Sequence, residues 1–432
     1  AQIITAARKI MDIKDLVIYR NLEHQELFRD IAHLMGYAQG GQEPDGASCG
    51  GRLAELAVKY GFEGNLWHCF LAFCLANNEN AYTTTCEITG PAGGSLDELA
   101  REDCRIFKVL FDYDIRNLEP SGLWALMENY KPARKDSRVF NRRVRNRIVN
   151  LAVQLEESAD AGQFQDHVVE FYREFGVGKF GLNKAFRIIE KEEGQPVIID
   201  PIINVEHINF KDIVGYELQK QKLIENTEAF VDGKEANNVL LFGDAGTGKS
   251  SSVKAVLNEY YARGLRIIEV YKHQFKALSD VLEQIKDRNY KFIIYMDDLS
   301  FEDYELEYKY LKAILEGGLG KRPGNVLIYA TSNRRHLIRE KFSDKRELDD
   351  ELHNNDTVQE KLSLAARFGV TIYYGSPDKR QFETIVKTLA DRHGFDMPEQ
   401  ELFAEANKWE LSHGGLSGRT AAQFITHLKA RR

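Results

Sequence analysis

The chain has 432 residues, 43% of them hydrophobic and 29% charged, which is typical of a globular protein of two to four domains. Its 58 basic and 66 acidic side chains give a formal net charge of −8, which argues against a general affinity for nucleic acids but not against a local basic surface. The longest apolar run, Leu66–Ala76, is far shorter than the ~20 residues that span a bilayer, so we predict no membrane segment.

Residues 1–200 are predicted to form a mostly helical domain. Leu16–Leu34 and Leu53–Tyr60 repeat apolar residues at helical spacing, and a glycine-rich loop at 40–46 separates them. This half carries no catalytic pattern, so the sequence leaves its role open.

The cysteines all fall in the first quarter of the chain, and they form no C-x-x-C pair. They are Cys49, Cys69, Cys74, Cys86 and Cys104. An odd number of unpaired thiols indicates a reducing compartment, and without a recognisable signal peptide we expect a cytoplasmic protein. A metal site at His68, Cys69 and Cys74 is an alternative, but the two thiols lie in an apolar helical run, which favours buried core cysteines.

A strongly basic segment, Lys131–Arg147, carries eight basic side chains and one acid. One interpretation is a surface for nucleic acid or an acidic partner. The other is the solvated face of an amphipathic helix, because apolar residues recur at helical spacing and no aromatic residue interleaves with the arginines on the outer face. Those apolar residues are Phe140, Val144, Ile148, Leu151 and Leu155. The pattern favours the second interpretation.

Beyond a charged linker at 191–196, apolar strands and helices alternate. The strand candidates are Asn237–Phe242, Leu265–Val270, Phe292–Met296, Val326–Thr331 and Val370–Tyr374. Such alternation predicts an α/β domain at 201–375, with a five-stranded parallel sheet covered by helices on both faces. Residues 376–432 are predicted to form a helical lid. Ligands of such sheets bind at the carboxyl ends of the strands.

The segment Gly243–Ser250 fits G-x-x-x-x-G-K-[ST] at every fixed position, after an apolar strand and before a predicted helix. Glycines let successive backbone N–H groups face one anion, and the helix N-terminus adds its positive end. Lys249 supplies a mobile cation for the β- and γ-phosphates, and Ser250 supplies a hydroxyl for Mg²⁺. The predicted binding residues here are Gly243, Asp244, Ala245, Gly246, Thr247, Gly248, Lys249, Ser250 and Ser251.

Two carboxylates follow the apolar strand at Phe292–Met296. Mg²⁺ at a phosphate-binding loop is held through Ser250 and water, and it needs a carboxylate nearby. Asp297 fits the role of that carboxylate. Asp298 is then placed to polarise the water that attacks the γ-phosphate. We therefore predict Ser250 and Asp297 as metal-site residues and Asp298 as a catalytic residue.

Three further candidates follow in chain order. Asn333 comes after the fourth strand candidate, where an uncharged amide can orient the attacking water or bind the γ-phosphate. Arg367 precedes the fifth strand candidate, and Arg419 begins a C-terminal helix. Each arginine alone is typical of a surface residue, and only their order after the loop and the carboxylates makes them candidates.

This order of motifs resembles the AAA+ ATPase superfamily from about Ile208 to the C-terminus. The resemblance implies that Ile213 and Val214 pack on adenine, that Asn333 is sensor 1, and that Arg419 is sensor 2. Five sequence segments are more narrowly similar to an uncharacterised bacterial family of predicted AAA+ ATP-binding proteins. They are VGYE, DDLSFED, YATSNRRHL, LSLAARFGV and GGLSGRTA.

The resemblance also implies an activity and an assembly. It implies Mg²⁺-dependent ATP hydrolysis that remodels or loads a macromolecular partner, with Arg367 as the arginine finger that reaches a neighbouring subunit in a homo-oligomeric ring, most often of six. Asp298 stands where most active relatives carry glutamate, and misplacement of about 1 Å costs about 10²-fold in rate. A slow nucleotide-gated switch or scaffold is therefore an alternative, and a DNA-associated ATPase that uses the basic helix is another.

Overall fold

A computed structural model describes residues 12–39, 43–132, 141–190, 195–301, 307–316, 323–333, 337 and 364–431. The chain divides into two compact units, residues 1–183 and 184–432. The predicted three-part division, with boundaries after residues 200 and 375, stays a prediction.

The first unit is helical over most of its described length. Its helices are α1 (Gln25–Leu34), α2 (Gly46–Tyr60), α3 (Leu66–Asn77), α4 (Ala81–Thr89), α5 (Gly94–Phe111), α6 (Ser121–Glu128), α7 (Arg142–Glu156), α8 (Ala161–Phe175) and α9 (Gly178–Leu182). Many of these helices begin after an aspartate or asparagine whose side chain accepts a hydrogen bond from the first turn. Such caps satisfy backbone N–H groups that have no partner within the helix.

The core of this unit forms around α3, which is buried on nearly all sides. All five cysteines are buried and unpaired, which confirms the prediction of core thiols. Burial raises the pKa of Cys69 to about 12, so this thiol stays protonated near neutral pH. The Nε2 atom of His68 lies 2.8 Å from the carbonyl oxygen of Phe111, and the imidazole stacks on the Phe111 ring. Within the described part of the chain, no helix has the length and apolar character needed to cross a membrane.

The basic segment continues into α7, which buries an apolar face and thereby confirms the amphipathic interpretation for Arg142–Glu156. Two of its arginines contact the same unit. Arg145 pairs with Glu63 at 2.7 Å, and the Arg147 guanidinium lies 4.2 Å from the centre of the Phe175 ring. The predicted core residue Phe140 lies outside the described residues.

A buried carboxylate connects α5 to the start of the described chain. Asp103 has no exposed surface. Its two oxygens accept hydrogen bonds from the backbone N–H groups of Val17, Ile18 and Tyr19, at 2.7–3.2 Å. A charge buried this deeply is tolerated only with several donors, so Asp103 holds this stretch of backbone against the helical core.

The second unit is built on a mostly parallel sheet. Its strands are β1 (Ala185–Ile189), β2 (Ile198–Pro201), β3 (Val239–Gly243), β4 (Leu265–Glu269), β5 (Lys291–Met296), β6 (Val326–Ser332) and β7 (Val370–Tyr374). Their spatial order is β2-β1-β4-β5-β6-β3-β7, and only β1 and β2 pair antiparallel. The predicted α/β fold is confirmed, but over the residues that the structure describes the sheet has seven strands rather than five. The two additional strands extend the edge beside β4.

Helices connect the strands and close the second unit. They are α10 (Glu217–Val231), α11 (Lys249–Tyr260), α12 (Leu278–Ile285), α13 (Glu307–Glu316), α14 (Lys379–Arg392), α15 (Glu399–Ser412) and α16 (Gly418–Ala430). The last three helices share a small core of their own, against which Val214 also packs. The C-terminal segment is therefore a helical lid, as predicted.

Candidate functional site

The glycine loop, Gly243–Ser250, joins the carboxyl end of β3 to the first turn of α11. Gly243 has φ +134°, and a Cβ atom placed on it would lie 2.1 Å from the carbonyl oxygen of Tyr374 in the neighbouring strand. Gly248 has φ +95°, which directs the chain into the helix. The loop can therefore follow this path only with glycine at these two positions.

A cavity of about 560 Å³ opens over this loop and contains most of the predicted site residues. They are Ile213, Val214, Ala245, Gly246, Thr247, Gly248, Lys249, Ser250, Ser251, Asp298, Asn333 and Arg419. The other lining residues were not predicted as site residues; they are Ile208, Asp212, Tyr216, Thr331, Ile385, Leu389, Gly418 and Ala422. Gly243, Asp244, Asp297 and Arg367 do not line it.

The ammonium group of Lys249 lies against the loop itself. It donates to the carbonyl oxygens of Gly243 and Asp244 at 3.0 and 2.6 Å, and to the side-chain oxygen of Asn333 at 3.0 Å. Burial lowers the pKa of Lys249, although the carboxylates of Asp244, Asp298 and Asp297 oppose this shift. The site therefore holds a lysine whose charge is favoured by three acids.

The carboxylate of Asp297 is fixed by donors from three elements. Its Oδ1 accepts hydrogen bonds from the hydroxyls of Ser250 at 2.7 Å, Tyr295 at 2.6 Å and Thr331 at 2.6 Å. Burial acts to raise the pKa of Asp297, but hydrogen bonds from Thr331, Tyr295 and Ser250 outweigh it, so the pKa is lowered. Asp297 is consequently held as an anion beside the Ser250 hydroxyl.

Asp298 has an unusual backbone and two polar contacts. Its φ is +51°, in the left-handed region that residues other than glycine seldom adopt. Its backbone N–H donates to the Thr331 hydroxyl at 2.9 Å, and its Oδ1 accepts from the Asn333 side-chain amide at 2.7 Å. Asn333 therefore bridges Lys249 and Asp298, because its oxygen binds one and its nitrogen the other.

The apolar part of the lining comes from segment 208–216 and from the lid. Ile208, Ile213 and Val214 supply the first set of side chains, and Ile385 and Leu389, one helical turn apart on α14, belong to the second. Hydrogen bonds stabilise this junction. Lys220 of α10 donates to the Ile213 carbonyl at 3.0 Å. Arg392 of α14 donates to the carbonyls of Lys211 and Asp212, the latter at 3.2 Å.

The lid also touches the glycine loop directly. The backbone N–H of Arg419 donates to the Gly246 carbonyl at 3.2 Å, and a Cβ atom on Gly246 would lie 3.0 Å from the Arg419 Cβ. The Asp244 carboxylate accepts from the backbone N–H of Ser376 at 2.7 Å and from its hydroxyl at 3.0 Å. Ser376 lies between β7 and α14, so loop and lid are connected at two places.

Arg367 lies apart from the other candidates. Its guanidinium forms an ion pair with Glu316 at the end of α13, at 2.7 Å. The structure thus brings the loop, Asp298, Asn333 and Arg419 together around one cavity, with Asp297 bonded to Ser250 and Thr331 of its lining, and leaves Arg367 elsewhere.

Two site residues that the sequence analysis missed, Tyr295 and Thr331, bond to Asp297. Tyr295 lies two residues before Asp297, and this period-two spacing is the signal that would have found it. Thr331 precedes Asn333 by the same spacing, but its contact with Asp297 depends on the pairing of β5 with β6. Ile385 and Leu389 have the pattern of ordinary core residues on an amphipathic helix, so no local signal identifies them.

Comparisons with known proteins give one family and several partial relatives. The sequence profile of the family described as "Protein of unknown function (DUF815)" matches residues 182–432. Proteasome-activating nucleotidase 1 of Haloferax volcanii is 25% identical over 190 residues, which cover 37% of this chain and 46% of that protein. The ATP-dependent zinc metalloprotease FtsH of Lactiplantibacillus plantarum is 25% identical over 210 residues, 42% of this chain and 25% of that protein.

A third relative and two solved structures complete the comparison. The replication factor C large subunit of Staphylothermus marinus is 35% identical over 81 residues, 18% of each chain. These matches span less than half the length of each relative. The Thermotoga maritima RuvB Holliday junction branch migration motor has a TM-score of 0.32 at 13% identity, covering 52% of this chain and 73% of that chain. C. elegans PCH-2 has a TM-score of 0.36 at 17% identity, covering 52% of this chain and 65% of that chain.

Proposed function

The chain belongs to the DUF815 family and is a member of the AAA+ superfamily, and from this premise we propose that it binds ATP with Mg²⁺ and hydrolyses it to remodel or load a macromolecular partner. The proposal includes three functional parts, which are a helical domain at 1–200, a nucleotide-binding domain at 201–375 and a lid at 376–432. The unpaired buried thiols suit a reducing compartment, and we place the protein in the cytoplasm.

One observation carries the proposal: a single cavity is lined by the phosphate-binding loop, the Asp298 carboxylate, the Asn333 amide and the lid residue Arg419, and Asp297 bonds to Ser250 of that lining. Its volume of about 560 Å³ suits a small organic ligand, since such sites usually measure about 300–1,000 Å³. The N-terminus of α11 and the loop N–H groups suit the phosphates. The apolar side chains of Ile213, Val214 and Ile385 suit the faces of a purine.

The donors beside the loop fit a magnesium ion. The Ser250 hydroxyl and the Asp297 carboxylate lie 2.7 Å apart, and both are the hard oxygen ligands that Mg²⁺ prefers. Ser250 would bind the ion directly, and Asp297 would hold it through water. When bound, Mg²⁺ neutralises charge that develops on the phosphate oxygens.

The remaining polar groups have distinct roles in the proposed reaction. Lys249 exchanges its bonds to the loop carbonyls for bonds to the β- and γ-phosphates. Asp298 accepts a proton from the attacking water, and Asn333, bonded to Asp298 at 2.7 Å, orients that water. Arg419 stabilises negative charge on the γ-phosphate when the lid closes.

Purified full-length chain should bind ATP and release phosphate only when Mg²⁺ is present. Thermal stabilisation by a non-hydrolysable ATP analogue measures binding, because a ligand of the native state raises the unfolding temperature. Phosphate release with ATP, with and without EDTA, measures hydrolysis. GTP and CTP serve as controls for the base. A chain that is neither stabilised by the analogue nor active with Mg²⁺ would contradict the proposal.

A slow nucleotide-gated switch is the second candidate. It is favoured by the short Asp298 side chain, whose Oδ1 is already bonded to the Asn333 amide. Multiple-turnover kinetics separate the two candidates. Sustained turnover within the usual ~1–10³ s⁻¹ of enzymes supports a motor, and one burst followed by a stall supports a switch.

We propose that Arg367 completes the site of a neighbouring subunit in a homo-oligomeric ring, for which six is the expected number. We expect light scattering after size exclusion to detect a larger species with the non-hydrolysable analogue, and Arg367→Ala to lose both this species and most turnover. The matched control is Arg187→Ala, since Arg187 of β1 forms a similar ion pair at 3.1 Å with Asp200 of the edge strand β2. A monomer that hydrolyses ATP at full rate with Arg367→Ala would disprove the assembly.

A further inference from the structure

Thr331 contacts both carboxylate residues at the end of β5. It lies near the end of β6, is only 2% exposed, and donates its hydroxyl proton to Asp297 Oδ1 at 2.6 Å. The hydroxyl oxygen of Thr331 in turn accepts a hydrogen bond from the backbone N–H of Asp298 at 2.9 Å. A hydroxyl has one proton to donate, so accepting from Asp298 leaves that proton committed to Asp297.

The backbone of Asp298 needs this contact. A φ of +51° is uncommon for aspartate, and such conformations persist where surrounding groups hold them in place. Thr331 binds the N–H of this residue, and Asn333 binds its carboxylate. Together they direct a side chain that is one methylene shorter than glutamate to the lining of the cavity.

We propose that Thr331 is a positioning residue that sets both Asp297 and Asp298 for the reaction, an inference that rests on the proposed ATP hydrolysis. Its contact with Asp298 fixes the reach of the shorter carboxylate, and its contact with Asp297 fixes the anion beside Ser250. Tyr295 shares only the second of these contacts, at 2.6 Å. In their contacts with the two aspartates, Thr331 and Tyr295 therefore differ in one hydrogen bond, the one that Thr331 accepts from the backbone N–H of Asp298.

The test compares Thr331→Val, Thr331→Ser and Tyr295→Phe in the full-length chain. Valine keeps the shape and removes the hydroxyl, serine keeps the hydroxyl, and Tyr295→Phe removes one donor to Asp297 alone. We expect Thr331→Val to lower kcat by about 10²-fold, the usual effect of a misplacement near 1 Å, while the Kd of the non-hydrolysable analogue changes by less than about threefold. Thr331→Ser should restore kcat to within about threefold, and Tyr295→Phe should cost less than Thr331→Val.

Each outcome has a definite meaning. If Thr331→Val loses its fold because the Asp298 N–H is left without a partner, Thr331→Ala leaves room for a water to accept from that N–H, and its comparison with Thr331→Ser tests the same role. Wild-type kcat in Thr331→Val, or a serine variant as slow as valine, would overturn the role of Thr331 while leaving ATP hydrolysis intact. An inactive wild-type chain would overturn the proposed function, and the positioning role with it.

Discussion

Lys249→Ala should reduce ATP turnover by at least ~10²–10³-fold, the cost of removing one preorganised electrostatic contact to a transition state. Lys249 is the loop cation, and three carboxylates around it favour its charge. Without it, the developing charge on the γ-phosphate loses the loop cation that we propose to neutralise it. Phosphate release under saturating ATP and Mg²⁺ measures turnover, and titration with the non-hydrolysable analogue measures the accompanying loss of affinity.

The matched control for this variant is Lys254→Ala. Lys254 lies on the same helix α11, but it is exposed and pairs with Glu206 at 2.7 Å outside the cavity lining. Surface pairs of this kind contribute about 0–1 kcal/mol, so turnover should stay close to wild type. Equal activities of the two variants would contradict a role for Lys249 in catalysis. Loss of folding in Lys249→Ala is checked by circular dichroism, and Lys249→Met then keeps most of the side-chain volume.

Asp103→Ala should destabilise the first unit by roughly 3–5 kcal/mol, the usual cost of breaking a buried charged interaction. Alanine would leave the backbone N–H groups of Val17, Ile18 and Tyr19 without the Asp103 acceptor, beside a residue, Tyr19, that is fully buried. Urea unfolding followed by tryptophan fluorescence reports this change, because Trp67 and Trp124 are fully buried in the same unit.

An exposed aspartate in the same unit provides the comparison. Asp45 caps α2 and accepts hydrogen bonds from the N–H groups of Ala47 and Ser48 at its surface. Removal of such a cap costs about 1 kcal/mol, so Asp45→Ala should lower the urea midpoint much less than Asp103→Ala. Similar midpoints for the two variants would show that the buried carboxylate is not what holds residues 17–19.

Much of the candidate site could be predicted because its signals are local. The glycines of the loop, Lys249 and Ser250 are adjacent in sequence, and the two aspartates directly follow an apolar strand. The carboxyl ends of parallel strands lie at one edge of a sheet, which brought Asn333 to the same place. Arg367 has no such constraint within the chain, and its pairing with Glu316 was not foreseen.

The sheet was predicted less completely. β1 lies in the half predicted to be helical, and β2 crosses its boundary at residue 200. β3, β4 and β7 are equally short, but they belong to the alternation of strands and helices, whereas β1 and β2 are consecutive strands that pair antiparallel, so that alternation does not indicate them. The predicted fold class is nevertheless right, because β1 and β2 only extend the sheet at its edge beside β4.

By itself, the sequence determined the phosphate-binding loop, the order of the polar residues and the α/β class, because each depends on neighbouring residues and on periodicity. Tertiary structure alone decided that Thr331 holds both Asp297 and Asp298, since this requires β5 and β6 to pair in one register. It likewise decided that Ile385 and Leu389 of the lid line the cavity over the loop. Contacts between distant segments depend on which elements pack together, and a pattern of apolar residues states only that a face is buried.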